Sequence, residues 1–145
     1  VRWEHFCSFS EDNELFVLGN PPYLGAAWMK KEQKEDMKLV FSKKLKSFGT
    51  LDYVCAWFFL AAEICSHEKH RFAFVATNSI VQGGHVPLIW PLLFDLGHVI
   101  CFAYRSFHWK NNAADNAGVT CVIVGLSKNK NIRKLFQKIV YQPLW

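Results

Sequence analysis

The chain has 145 residues, 51% hydrophobic and 16% aromatic, which excludes a disordered polypeptide and suits one domain around one core. Its formal net charge of +5 is a mild pointer to a polyanionic partner. Five cysteines (Cys7, Cys55, Cys65, Cys101 and Cys121) are odd in number, widely spaced and free of any Cys-x-x-Cys pattern. That argues against a disulfide or zinc framework, and for buried thiols in a reducing, cytoplasmic setting.

Residues 1–14 read as a mixed lead-in with a turn at Asp12-Asn13, and the opening Val1-Arg2-Trp3 suggests a piece of a longer protein. The apolar run 15–18 predicts a buried strand, which stops at Gly19-Asn20-Pro21-Pro22-Tyr23. Residues 33–48 place Met37, Val40, Phe41, Leu45 and Phe48 at helical spacing among lysines and acids. This predicts an amphipathic helix with a solvated face, closed by Gly49. Residues 51–65 are apolar almost all round and predict a second, largely buried helix, with Asp52 near its start.

Residues 72–76 predict the next strand, closed by Thr77-Asn78-Ser79. Past Gly83-Gly84, residues 87–96 predict a short helix ended by Gly97, and 99–104 a third strand. Residues 107–118 read as a polar loop centred on Lys110, 119–126 as a fourth strand, and 132–140 as a last short helix. No apolar stretch suits a membrane: 51–65 is too short and holds Glu63, and 86–104 is broken by Pro91, Asp95 and Gly97. The succession predicts an α/β fold with parallel crossovers, a covered sheet and an antiparallel last strand at one end.

The stretch after the first strand carries the chemistry. Two prolines remove two backbone N–H donors and fix two φ angles, leaving a stiff turn rich in free carbonyls. In open α/β sheets ligands bind beyond the carboxyl ends of the strands, where Asn20–Tyr23 and Thr77–Ser79 both fall. The Asn20 side-chain carbonyl and the Pro21 backbone carbonyl can together accept both hydrogens of a planar amino group and localise its lone pair. Tyr23 can stack on the ring that bears the amine. The plainer reading is a rigid strand-to-loop turn.

The segment "GNPPYLG" after a hydrophobic strand resembles the catalytic motif of amino-group methyltransferases that use S-adenosylmethionine. With "KEQKEDMKLVF", "LDYVCAWFFLAAE", "FAFVATNSIVQGGHVPLIWPLLF" and "VTCVIVGLS", residues 15–127 are similar to the methyltransferase region of large single-chain type II restriction-modification enzymes. The resemblance implies a site-specific, adenine-N6 DNA methyltransferase on a partial Rossmann-like class I fold, with double-stranded DNA as partner. It implies that Asn20, Pro21, Pro22 and Tyr23 hold a flipped adenine. A second aromatic, Phe107 or Trp109, would pack the base, and Thr77, Asn78, Ser79 and Gln82 would line the pocket or the strand path.

The family's glycine-rich donor loop has no counterpart before Leu15. The first three strands of that fold are therefore expected to be missing, with residues 1–145 forming the catalytic C-terminal half. Of the donor site only the Asn20 edge is expected here, so the chain alone is expected to be inactive. An exposed edge on the first strand predicts self-association or an N-terminal cover. Glutamine side chains or RNA bases are the alternative substrates.

Other features have plainer readings. Arg105 and Lys110 beside the pocket loop, and Lys128, Lys130, Arg133, Lys134 and Lys138 in a basic tail over 128–145, can meet DNA phosphates or simply be solvated. His67 and His70 suit a solvated helix end better than a metal. Trp57, Phe58, Phe59 and Trp90 read as core.

Overall fold

A computed structural model describes residues 13–109, 118–131 and 133–136. In chain order these form β1 (Leu15–Gly19), α1 (Lys31–Phe41), α2 (Val54–Ile64), β2 (His70–Thr77), α3 (Val86–Asp95), β3 (Val99–Trp109), β4 (Val119–Ser127) and β5 (Lys134–Phe136). No helix among the described residues is long and apolar enough to cross a membrane.

The strand order is β1-β2-β4-β3-β5. β1 pairs parallel with β2, and β3 with β5, while β4 runs antiparallel to both β2 and β3. The reversed strand thus sits in the middle of the sheet, not at one end as the sequence pattern suggested. The reason is burial. Val122, Val124 and Leu126 of β4 join Phe72, Phe74 and Ala76 of β2 in the core, so this strand, buried over most of its length, takes an inner position.

α2 is the hub of that core. Phe58 makes edge contacts with Phe72, Phe74 and Trp90, at ring-centroid distances of 6.2, 5.2 and 6.4 Å, and Phe59 meets Phe41 of α1 at 5.5 Å. Phe58 is fully buried; truncating such a ring to Ala costs about 3–5 kcal/mol. β1 is not the buried strand expected from its apolar run: Leu15 and Val17 pack towards the core, but the alternate residues Phe16 and Leu18, on the other face, are 54% and 70% exposed.

Two elements differ from expectation. α1 ends at Phe41 rather than running to 48. Ser42 N–H still reaches Lys38 O, but Lys44 and Leu45 N–H both turn onto Phe41 O, and a 3-10 turn follows at Phe48–Thr50. Lys44 is drawn off to Glu63 of α2 at 2.9 Å. These turns preserve the three- and four-residue spacing of Leu45 and Phe48, which is why the pattern looked helical. The second difference is β5, a strand where a helix over 132–140 was expected. Phe136 stacks on Tyr104 of β3 at 4.5 Å, a cross-strand contact that a helix would forgo. Residues 137–145 lie outside the described residues.

α3 carries Pro87 in its first turn and Pro91 inside. Gly97, at φ +87°, closes it, and His98 N–H bonds back to Leu93 O. His70 is buried on β2, not at a solvated helix end, and no metal-binding cluster of His, Cys, Asp or Glu occurs among the described residues.

Candidate active site

β1 delivers the chain to Asn20 at its carboxyl end. Asn20 and Pro22 are exposed, Pro21 is buried and Tyr23 is half-buried. Pro21 can be buried cheaply because it has no N–H to satisfy. The Tyr23 hydroxyl donates to Asn20 Oδ1. Burial first, and then the neighbouring Cys121 thiol, push the Tyr23 pKa well above its ordinary value, so the hydroxyl stays a donor.

Cys121 ties this loop to the sheet. It pairs with Thr77 of β2 on one side and Phe107 of β3 on the other. Tyr23 therefore stands on a row of three adjacent strands that ends at Phe107. Trp109 pairs with Val119, two residues farther along β3, or roughly 7 Å. β3 extends through both aromatics, which corrects the loop expected from 107, and its pairing is irregular between Tyr104 and Phe107. Arg105 and Ser106 occupy that irregularity and are exposed.

The turn after β2 is held by its own polar side chains. Thr77 Oγ1 and Ser79 Oγ are 2.8 Å apart, and Ser106 Oγ donates to Asn78 Oδ1 at 2.5 Å. Ser79 Oγ donates to Asp52 Oδ2 at 2.6 Å, and Ala26 N–H donates to Asp52 Oδ1 at 3.3 Å. His85 Nε2 lies 3.1 Å from Asp52 N–H, which donates to it, and 3.4 Å from Asp52 Oδ1. Tyr53 N–H donates to Leu24 O at 2.9 Å. Thr77, Asn78 and Ser79 are thus brought to the site, with their side chains engaged in the scaffold around it. Gln82 is exposed beyond the turn.

Asp52, His85 and Cys121 were not marked as site residues by sequence reasoning. The one available signal was an acid inside the otherwise apolar stretch 51–62.

The basic tail is not brought to this end. Ser127 pairs with Arg71 and Val99 at the starts of β2 and β3, six residues along β4 from Cys121. Lys128 follows it, roughly 20 Å from the Tyr23 row, and Lys130 and Arg133 come after; Lys134 of β5 pairs with Phe102, which is four residues along β4 from Cys121 in register, or roughly 14 Å. Lys110 and Lys138 lie outside the described residues.

A cleft of about 170 Å³ runs beside the loop, lined by Val17–Pro22 of the β1 exit with Trp57 and Phe74. Roughly 300 Å³ or more is usual for a pocket that encloses a whole small ligand. The cleft is therefore too small to enclose a whole small ligand, and Asn20, Trp57 and Phe74 are among the residues that line it. Cys55, Cys65, Cys101 and Cys121 are buried, and burial raises the pKa of each, to about 12 for Cys55 and Cys65. They are not activated nucleophiles.

A family model described as MmeI, DNA-methyltransferase domain, matches residues 1–137. DNA methyltransferase A of Bacillus subtilis (strain 168) is 46% identical over 125 residues, covering 86% of this chain and 14% of that protein. Among solved structures, the type IIL restriction-modification enzyme MmeI in complex with DNA superposes with a TM-score of 0.77 at 44% identity. That match covers 90% of this chain and 18% of the MmeI chain, so the chain spans under a fifth of either relative's length. The chain belongs to the MmeI DNA-methyltransferase domain family.

Proposed function

We propose that these residues are the base-handling part of a DNA methyltransferase that modifies N6 of an adenine turned out of the duplex. They would act within a longer restriction-modification enzyme. The observation that carries the reading is the Asn20–Tyr23 loop. It leaves the carboxyl end of β1 with the Asn20 amide exposed and oriented by Tyr23, in a chain of this family. The DNA in the MmeI complex favours DNA over an RNA base or a glutamine side chain as substrate.

The chemistry follows from the loop's acceptors. Asn20 Oδ1 and the Pro21 carbonyl take the two amino hydrogens, drawing the nitrogen towards tetrahedral geometry. S-adenosylmethionine, when bound, supplies an electrophilic methyl group on a sulfonium. The nitrogen lone pair forms the new N–C bond as the C–S bond breaks, and the electron pair leaves with sulfur. The nitrogen then loses one proton to solvent, so no general base is needed beforehand. Extrusion is required because the amine is otherwise paired in the duplex. Of the two candidate aromatics, the register Phe107↔Cys121 favours Phe107 over Trp109 as the one that packs the base.

The edge of β1 supports a Rossmann-like sheet that continues in the longer enzyme. Among the described residues β1 pairs only with β2, and Phe16 and Leu18 are exposed. In an isolated chain the same edge would favour self-association.

The test is methyl transfer by the full-length enzyme containing these residues, from labelled S-adenosylmethionine to unmethylated duplex DNA of mixed sequence. RNA and protein acceptors run in parallel, followed by nucleoside analysis. N6-methyladenine in DNA is expected. Label confined to RNA or protein would overturn the assignment.

A further inference from the structure

Asp52 lies outside the loop that meets the base, yet it joins three segments around it. Its Oδ1 accepts the Ala26 N–H, three residues past Tyr23, and its Oδ2 accepts the Ser79 hydroxyl in the turn after β2. Its own N–H donates to His85 Nε2, just before α3. The next residue, Tyr53, bonds Leu24 O. With its side chain only 16% exposed, Asp52 holds these partners largely out of water. In effect one carboxylate fixes where the catalytic loop ends relative to the carboxyl end of β2.

We infer that Asp52 is a positioning residue for the methyl-transfer reaction: through Ala26 and Ser79 it sets the distance between the Asn20–Tyr23 loop and the β2 turn. The inference rests on the proposed methyltransferase function. Asp52 sits behind the loop, with no part in the bond-making step. Geometry is what it supplies, so an uncharged amide of the same shape should serve. In D52N, Oδ1 keeps the Ala26 N–H, the new amide donates to Ser79 Oγ, and Ser79 in turn donates to Thr77 Oγ1, already 2.8 Å away. Alanine at the same place leaves the Ala26 N–H without its acceptor and the Ser79 hydroxyl with Thr77 alone, so the link between the two segments is lost.

The experiment measures kcat and KM for S-adenosylmethionine and for duplex DNA in the full-length enzyme, with wild type, D52A, D52N and S79A. Thermal melts of each check folding. D52A should lose kcat by about 100-fold, the scale expected when reacting groups are misplaced by an ångström, with both KM values near wild type. S79A, which removes one of the links, should lose about tenfold. D52N should restore most of the rate. Should D52A fail to fold, S79A and D52N decide the matter.

Wild-type kcat in D52A and S79A would overturn the inference. So would a loss carried by KM, or a D52N as slow as D52A, which would make charge the active ingredient. A wild-type enzyme that makes no methyladenine would instead overturn the functional reading beneath it.

Discussion

The Tyr23 hydroxyl donates a hydrogen bond to Asn20 Oδ1, joining the two ends of the Asn-Pro-Pro-Tyr turn. A carbonyl oxygen has two lone pairs, so this bond orients the Asn20 amide and leaves a second site for an incoming amino hydrogen. Tyr23→Phe should lower kcat by up to about tenfold, the worth of one such hydrogen bond, with DNA binding little changed. Tyr23→Ala should in addition weaken base engagement by about 1–3 kcal/mol through lost stacking. Steady-state kinetics alongside DNA titrations separate the two variants.

Phe107 and Trp109 are distinguished by register. Phe107 pairs with Cys121, the neighbour of Tyr23, whereas Trp109 pairs with Val119. Phe107→Ala should impair base flipping and methyl transfer more than Trp109→Ala. A fluorescent adenine analogue at the target position reads this directly. A larger loss of flipping in Trp109→Ala would reverse the assignment.

Gly125 faces the ring of Phe102 across β4 and β3. A Cβ at Gly125 would stand 2.2 Å from the nearest ring carbon, so no larger residue fits without moving it. Gly125→Ala should destabilise the fold by about 1–3 kcal/mol, as overpacking does. Phe102→Ala in the same chain should recover much of that loss. Denaturant unfolding of the two single variants and the double variant gives the coupling, and strict additivity would contradict the contact.

His98 is buried, with Nε2 2.8 Å from Ala62 O, and burial lowers its pKa from the ordinary 6.5. The unfolded chain therefore takes up a proton that the folded chain refuses. His98's contribution to stability is fully present above about pH 6.5 and is lost as pH falls from there towards the lowered folded value. Unfolding midpoints between pH 7.5 and 5.5 should fall, and His98→Phe should flatten the slope.

Much of this was legible beforehand. β1, α2, β2, α3 and β4 follow from apolar runs and spacing, and Gly97 ends α3 as a glycine at positive φ should. What local pattern does not carry is strand order. Nothing in "VTCVIVGLS" says that it seats between β2 and β3 rather than outside β3. Helical spacing also survives a series of turns, so Leu45 and Phe48 concealed the true end of α1. At the site, Asn20–Tyr23 was legible because prolines leave so few conformations. Asp52 was not, because its partners Ala26 and Ser79 lie 26 and 27 residues away.

In the proposed reaction the Asn20 side-chain oxygen holds the target amine. The most direct measurement is N6-methyladenine formed by the full-length enzyme with Asn20→Ala, beside wild type, under saturating S-adenosylmethionine and duplex DNA. Asn20→Ala should lose methyl transfer by about 100-fold or more, as for removal of one preorganised transition-state contact, with the melting temperature unchanged. Wild-type product from a folded Asn20→Ala enzyme would contradict it.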